Sequence, residues 1–293
     1  MIGSWSTSGC RTLLLFASTA MLAACGSFPE RLDQGELASV AMLRPMRYAV
    51  YTPPGWTPAE RLPLVLFLHG GGDSEDCFDR WGIGQSLDAA IAAGEAPRVV
   101  ICVPNGDLGF WENWADGSRD YRDWVLLDLL PQVQRDYHTL IGREHLHVMG
   151  ISMGGHGALR FALLEGQRFE SVAAISAPVM TAEQMVGFSG GFWVRMFVPV
   201  PRIWGPTDDV ERAGRDDLYQ RWQTQADLGG QRLMLAVGDE DRAGILQLTR
   251  AFHQHLESCG IEHEYLVYDG GHRWNDWRPI FPAVLRFLVQ PQS

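Results

Sequence analysis

The sequence contains no lysine, because all 24 of its basic residues are arginine. A Schiff-base lysine, a Ser–Lys dyad and the lysine of a P-loop are therefore excluded. The sequence also lacks a basic run, and its formal net charge is −11. Because a nucleic-acid-binding surface must neutralise a row of phosphates, we expect no nucleic-acid partner. An activated serine in this chain has to use histidine as its base.

Cysteine is scarce, with five residues in the chain, and one of them ends a short apolar run near the N-terminus. This run, residues 12–24, follows Arg11 and is too short to span a membrane, which is typical of a signal peptide. It ends in Leu22-Ala23-Ala24-Cys25, which resembles the lipobox of bacterial lipoproteins, where cleavage precedes the cysteine and the thiol is acylated. We expect residues 1–24 to be the signal peptide and Cys25 to anchor the exported protein to a membrane of the cell envelope.

The residue after Cys25 is Gly26 and not aspartate, which favours the outer membrane over retention at the inner one. An ordinary secretory signal with a chance cysteine is the alternative. Removal of the signal peptide leaves Cys77, Cys102 and Cys259 as the other cysteines, so we expect at most one disulfide. Residues 25–40 are polar and mixed, which predicts a tether, and residues 41–293 form the predicted catalytic domain.

Continuous apolar runs alternate with stretches of helical periodicity in the rest of the chain. The runs predict buried strands at 63–68, 98–103, 146–149, 172–175, 233–237 and 265–268. The intervening stretches predict helices at 85–93, 124–137, 157–165 and 245–258. This alternation predicts an α/β fold with a mostly parallel sheet, helices on both faces, and a functional site at the carboxyl ends of the strands.

Residues 181–222 interrupt this pattern. The segment is rich in glycine, tryptophan and phenylalanine and has no clean periodicity. A loop of this length within a compact domain is usually functional. Its position between two predicted strands favours a cap inserted over the substrate pocket.

The pattern G-x-S-x-G occurs twice, at residues 150–154 and 187–191. The first copy follows an apolar strand and opens into a helix, which is the strand–turn–helix context that exposes a nucleophilic serine. The second copy has no strand before it and lies in the aromatic segment. We therefore predict that Ser152 is a nucleophile and that Ser189 lies in a turn.

A catalytic serine needs a histidine base and an acid that orients the base, and in this type of fold they follow the serine in the order acid, then histidine. His272 comes directly after the last predicted strand. Asp239, Glu240 and Asp241 come after the strand before it. We favour Asp241 as the acid, with Asp239 as the second choice.

Two backbone N–H groups are expected to form the oxyanion hole. One belongs to Met153, the residue after the nucleophile. The other belongs to Gly71 or Gly72, in a glycine-rich loop that begins at His69, because glycine lets a backbone amide approach the reacting oxygen closely. The sequence does not separate Gly71 from Gly72.

The remaining histidines have plainer interpretations. His253 and His255 share a predicted helix and could imitate a metal site with His263, but two residues spaced i, i+2 point to different helix faces. We therefore expect no metal and no cofactor. His156 lies beside the serine motif on the same helix and is interpreted as a packing residue, and surface or structural roles are expected for His138, His145 and His147.

Several motifs occur in an order that resembles one family. They are His69-Gly70-Gly71-Gly72, Pro104-Asn105-Gly106, Trp111-Glu112-Asn113-Trp114, Asp128-Leu129-Leu130-Pro131 and the run from Gly150 to Leu159. Together they resemble the esterase D family, which includes S-formylglutathione hydrolases, feruloyl esterases and the mycolyl-transferring antigen 85 proteins. The resemblance covers roughly residues 47–287. It implies an α/β-hydrolase fold, a triad of Ser152, Asp241 and His272, and a site lined by Trp111, Asn113 and Trp114.

Two departures from the family leave the substrate open. An exported lipoprotein does not meet S-formylglutathione, which is cytosolic, and the 181–222 segment has no counterpart that we can match. We expect a carboxylesterase that hydrolyses a small-molecule ester. The alternatives are transfer of the acyl group to a sugar or lipid alcohol under a cap that excludes water, and a non-catalytic envelope binding domain.

Overall fold

A single eight-stranded sheet organises the protein. The computed structural model describes residues 31–191, 196, 198–206 and 217–290. The strands are β1 (Asp33–Ser39), β2 (Arg44–Tyr51), β3 (Leu64–Leu68), β4 (Val100–Pro104), β5 (Leu146–Ile151), β6 (Ser171–Ile175), β7 (Arg232–Gly238) and β8 (Glu264–Tyr268). Their order is β1-β2-β4-β3-β5-β6-β7-β8, with β3 to β8 parallel and β1 and β2 antiparallel at one edge. The predicted α/β fold with a mostly parallel sheet is confirmed.

The central strands are apolar throughout because helices cover both faces of the sheet. In β3, Leu64, Leu66 and Leu68 pack into the core on one face. The alternate residues Val65 and Phe67 pack into the core on the other. The two-residue period of a strand thus divides one run of apolar residues between two layers.

The helices of the described residues lie between the strands from β3 onwards, and the last two follow β8. They are α1 (Cys77–Arg80), α2 (Ile83–Ala92), α3 (Tyr121–Asp123), a π-helical segment (Trp124–Leu129), α4 (Leu130–Asp136), α5 (Met153–Leu164), α6 (Ala182–Gly190), α7 (Val200–Trp204), α8 (Leu218–Arg221), α9 (Ala243–Ser258), α10 (Trp274–Trp277) and α11 (Phe281–Val289). Single 3₁₀ turns occupy Arg143–His145, Gln225–Leu228 and Arg278–Ile280. The six predicted strands and four predicted helices are all present, with small shifts at their ends.

The predicted tether is wrong over part of its length. Residues 33–39 form β1, which pairs with β2 as an antiparallel hairpin at the edge of the sheet. A strand in this position buries one face only, so its sequence is largely polar and does not show the apolar run of a central strand. Leu32 is buried, and the Asp79 carboxylate accepts its backbone N–H, so the folded domain begins before residue 41.

The described parts of the 181–222 segment are helical, which corrects the prediction of an irregular loop. Helix α6 begins with a capping box in which Thr181 and Gln184 satisfy each other's backbone N–H groups. Ser189 lies in this helix and is buried, so the prediction that it lies in a turn is wrong. Helices α7 and α8 follow later in the segment.

The predicted signal peptide and Cys25 lie outside the described residues. Among the described cysteines, Cys77 and Cys102 are buried and Cys259 is partly exposed, and all three are free thiols. Within the described part of the chain, no helix is both long and apolar enough to cross a membrane.

Candidate active site

A sharp turn between β5 and α5 presents Ser152. The serine has φ 53° and ψ −119°, a conformation that is strained for a residue with a side chain. Glycine is needed on both sides of it. A Cβ atom on Gly150 would overlap the backbone of Gly154, and one on Gly154 would overlap the carbonyl oxygen of Leu68. The two glycines of the motif therefore allow the helix to start directly against the sheet.

Three side chains from the carboxyl ends of β5, β7 and β8 form one hydrogen-bonded chain. The Nε2 atom of His272 lies 2.9 Å from the Oγ atom of Ser152, and its Nδ1 atom lies 2.8 Å from Oδ1 of Asp241. An ionised carboxylate can only accept, so Nδ1 carries the proton and Nε2 is left to accept from the serine hydroxyl. The Asp241 side chain is fully buried and that of His272 is 8% exposed.

Asp241 is held as a carboxylate. Burial alone raises its pKa, but hydrogen bonds from His272 and Ser176 outweigh burial and bring the pKa below its usual value. Its Oδ1 atom also accepts the backbone N–H of Arg242 at 2.7 Å. The other candidate, Asp239, accepts the backbone N–H of Gly270 and so fixes the loop before the histidine. Glu240 is exposed.

The residues expected to form the oxyanion hole lie at the same cavity as the serine. Met153 is the first residue of α5, and the first N–H groups of a helix have no partner within the helix. Gly70, Gly71 and Gly72 line the same pocket as Ser152, and an atom added at the Cβ position of Gly70 would lie 3.5 Å from the serine Cβ. No hydrogen bond among the described residues uses the N–H of Gly71 or Gly72.

The loop that carries these glycines is fixed by His69. Its Nε2 atom accepts the backbone N–H of Gly106 at 3.0 Å, which leaves Nδ1 to donate to the carbonyl of Gly70 at 2.9 Å. Burial lowers the pKa of His69, so the ring stays neutral and keeps this tautomer. His69 therefore holds the glycine turn and lies behind it.

A cavity of about 560 Å³ opens beside Ser152, within the size range of small-molecule sites. Its walls are mostly aromatic and apolar. The side chains that form them come from the loops after β4 and β6, from the segment that follows α1, from α10 and from the first turn of α5, and include Trp81, Leu108, Phe110, Met153, Pro178, Trp274 and Trp277. Arg242 and Arg273 lie at the same cavity.

Comparison with known proteins identifies the family of this chain. The family model described as "Putative esterase" matches residues 39–288. The chain belongs to this esterase family. The match covers the whole sheet except most of β1, and it includes the serine turn, the acid and the histidine.

Individual relatives of this esterase are distant. An esterase of Mycobacterium tuberculosis is 25% identical over 240 residues, covering 74% of this chain and 50% of its own length. The matched region therefore spans only half of that relative. An acetyl esterase of Caldicellulosiruptor saccharolyticus is 22% identical over 240 residues, covering 78% and 84% of the two chains. Among solved structures, a ferulic acid esterase superposes with a TM-score of 0.73 at 20% identity, covering 90% and 98%, which shows a shared fold.

The predicted lining residues Trp111, Asn113 and Trp114 need correction, because none of them lines the cavity. Trp111 is fully buried, donates to the carbonyl of His69, and packs against the ring of that histidine. The Asn113 side chain accepts the N–H of Asp123 at the start of the 121–136 helical run. Trp114 donates to the carbonyl of Gly109, so all three support the pocket wall and stay out of the pocket itself.

The described residues of the segment predicted as a cap also lie outside the pocket. None of its described residues lines the cavity. Trp204 in α7 packs edge-on against Phe110, which does line it, and the Arg202 guanidinium lies over the Trp114 ring. The segment therefore buttresses the loop after β4, and nothing among its described residues covers Ser152.

The other histidines do not form a metal site. His253 and His263 share a hydrogen bond of 2.8 Å, whereas His255 contacts the carbonyl of Trp222 on another side of α9. No group of three metal-ligating side chains is found in the described part of the chain. His156 is buried in α5, as predicted for a packing residue.

Sequence reasoning missed two sets of residues at this site. Trp274 and Trp277 follow His272 within five positions, and this local density of tryptophan was an available signal. Ser176 follows β6 directly, as Ser152 follows β5, so the rule that places functional groups at the ends of parallel strands pointed to it as well. A lone serine after a strand carries too little information to be selected without the structure.

Proposed function

We propose that this protein is a serine carboxylesterase that hydrolyses a small-molecule ester through an acyl-enzyme on Ser152. The single observation that carries the proposal is the unbroken chain from Ser152 through His272 to Asp241 at the mouth of an apolar cavity. A nucleophile, a base and a buried acid in hydrogen-bonding contact are the arrangement that acyl transfer from an ester requires. Membership of the esterase family supports the same reaction.

In the proposed reaction, the Oγ atom of Ser152 attacks the ester carbonyl while Nε2 of His272 takes its proton. The negative charge that develops on the carbonyl oxygen is stabilised by the N–H of Met153 and by an N–H of the Gly71–Gly72 turn. The tetrahedral intermediate collapses, and His272 gives its proton to the departing alcohol. Water then attacks the acyl-enzyme by the same route, which releases the acid and restores the serine.

Hydrolysis is better supported than the alternatives. Transfer to an alcohol needs a cap that excludes water, and no described residue of the 181–222 segment lines the cavity. A non-catalytic binding role has no use for the buried carboxylate that orients His272. The aromatic walls fit an ester with an apolar or aromatic part. An acetyl esterase and a ferulic acid esterase are among the similar proteins, which supports a small-molecule ester as the substrate.

The chain carries its own control for the nucleophile, because the motif G-x-S-x-G occurs twice. We expect Ser152→Ala to lower kcat for short p-nitrophenyl esters by a factor on the order of 10⁴ or more, since the acyl-enzyme can no longer form. Ser189→Ala removes the serine of the second motif, which lies in α6 and does not line the cavity. We expect that variant to keep wild-type kcat.

A fluorophosphonate probe gives a second readout that does not depend on the choice of substrate. It should label wild-type protein and Ser189→Ala and leave Ser152→Ala unlabelled. Wild-type turnover by Ser152→Ala, or loss of labelling in Ser189→Ala alone, would contradict the assignment of the nucleophile.

We further propose that the enzyme is exported and anchored through acylated Cys25, which is supported by the Leu22–Cys25 motif after a short apolar run. In a bacterial host grown with an alkyne fatty acid, wild-type protein should carry the label in the membrane fraction, and Cys25→Ser should not. Cys10→Ser, which changes a cysteine before the cleavage point, should remain labelled. A mature protein that begins at another residue would refute this proposal.

A further inference from the structure

Two serines occupy equivalent places on neighbouring strands. Ser152 follows β5 and Ser176 follows β6, and each has a positive φ, 53° and 51° respectively. Each donates its backbone N–H to the adjacent parallel strand, Ser152 to Ile175 at 2.8 Å and Ser176 to Ala236 at 2.7 Å. A serine with left-handed backbone is uncommon, and such strain persists at sites where the surrounding structure imposes it.

The hydroxyl of Ser176 joins three other side chains into one network. Its Oγ atom lies 2.5 Å from Oδ2 of Asp241, 2.9 Å from the hydroxyl of Tyr268, and 3.1 Å from Nε1 of Trp277. The carboxylate can only accept and the indole N–H can only donate, so the serine donates to Asp241 and accepts from Trp277. Tyr268 then donates to the remaining lone pair. Every polar group in this buried network is paired in a single pattern.

This network fixes the triad acid from the side opposite the base. His272 and the Arg242 N–H occupy Oδ1 of Asp241, and Ser176 occupies Oδ2. With both oxygens held, the carboxylate plane cannot rotate without breaking a charge-assisted bond. Ser176 itself is wholly buried, so its hydroxyl is shielded from bulk solvent.

We propose that Ser176 is a positioning residue for the catalytic triad, which acts through Asp241 and sets how strongly that carboxylate holds His272. This inference rests on the proposed esterase function. The Ser176 hydroxyl draws negative charge towards Oδ2, and so it limits the attraction between Asp241 and the protonated imidazole that forms during the reaction. It also keeps Oδ1 aligned with Nδ1. A hydroxyl that only filled a buried gap would do neither.

The test is Ser176→Ala, assayed for kcat, KM and the pH dependence of kcat/KM. Loss of the hydrogen bond that keeps Oδ1 aligned with Nδ1 should lower kcat by about tenfold, and KM should change little because the hydroxyl does not line the cavity. The acid limb of the pH profile should move to higher pH by about half a unit, since Asp241 then attracts the imidazolium more strongly. A purely structural loss would lower stability and leave this limb in place.

Ser171→Ala is the matched control. Ser171 begins the same strand, is equally buried, and its hydroxyl donates to the Leu288 carbonyl at 2.8 Å, but it lies at the opposite end of β6. Its removal should lower stability and leave the acid limb of the profile unchanged. Tyr268→Phe tests the network from the other side, because the tyrosine reaches Asp241 only through Ser176. It should lower kcat a few-fold in the wild type and have no further effect in Ser176→Ala.

The outcomes separate this inference from the proposed function. If wild type is inactive or Ser152→Ala is active, the function itself fails. If both behave as expected but folded Ser176→Ala keeps wild-type kcat and pH profile, the positioning role is overturned. Should Ser176→Ala not fold, Tyr268→Phe decides the question, and an unchanged kcat and pH profile there would likewise overturn the role.

Discussion

At the scale of single residues, the structure gives different contacts to the two aspartates that the sequence offers as the acid. Asp241 has a buried carboxylate in contact with His272, whereas Asp239 binds the N–H of Gly270. One residue orients the base and the other shapes the loop that delivers it. Within one acidic turn, Asp241 thus contacts the histidine and Asp239 fixes the loop before it.

This division predicts different effects for two like substitutions. Asp241→Asn should lower kcat by a factor on the order of 10⁴, because an amide can donate to Nδ1 and so favours the wrong imidazole tautomer. Asp239→Asn keeps an oxygen that accepts the Gly270 N–H, so its activity should stay within about tenfold of wild type.

Steady-state assays of the two variants on one ester check this, with thermal unfolding measured alongside. Equal losses of kcat in both variants would mean that the acidic turn acts as a unit and that Asp241 has no separate role.

At the scale of elements, the strands that are buried along their whole length were the ones most readily predicted from the sequence. Strands β3 to β7 are buried on both faces, and this environment selects continuous apolar runs that are easy to recognise. Strand β1 does not show in the sequence because it is an edge strand with a solvated face and is largely polar, which is also the composition of a tether. Ser152 and His272 were recognisable because the strand ends that carry them are.

The residues that line the pocket were harder to predict, because they depend on how loops return to the sheet. The stretch Trp111–Trp114 carries the aromatic composition of a binding site, yet Phe110 and Trp111 both adopt positive φ, and the loop turns Phe110 to the cavity and Trp111 to the core. Adjacent residues in such a loop can exchange roles without any change in composition. The local sequence pattern therefore indicates where the site is but does not identify the residues that line it.

At the scale of the whole molecule, buried histidines tie stability to pH. Burial lowers the pKa of His147 in β5 and of His156 in α5 to about 3 each. An unfolded histidine binds a proton below about pH 6.5. Between these values the unfolded chain binds more protons than the folded one, so the free energy of unfolding decreases as the pH falls from 6.5 towards 3, by about 2 kcal/mol per histidine at pH 5.

Urea unfolding at pH 7 and pH 5 measures this difference. In His147→Gln, which does not titrate, the decrease between the two pH values should be smaller by about 2 kcal/mol. His138→Gln, at an exposed position, should retain the wild-type decrease. An unchanged decrease in His147→Gln would show that another group controls the acid sensitivity.

Because of the order of the strands, the number of complete active sites reports how many molecules have folded with the native strand register. Strands β5, β6, β7 and β8 are consecutive neighbours in the sheet, and they are followed in this order by Ser152, Ser176, Asp241 and His272. Ile151 pairs with Ile175, and Ile175 pairs with Ala236. A slip of one residue at any of the three pairings between these four strands would turn one of the four side chains to the opposite face of the sheet and break the network. Active-site titration of a refolded sample therefore counts the molecules in which half of the sheet has assembled in the native register, which spectroscopic measures of strand content do not distinguish.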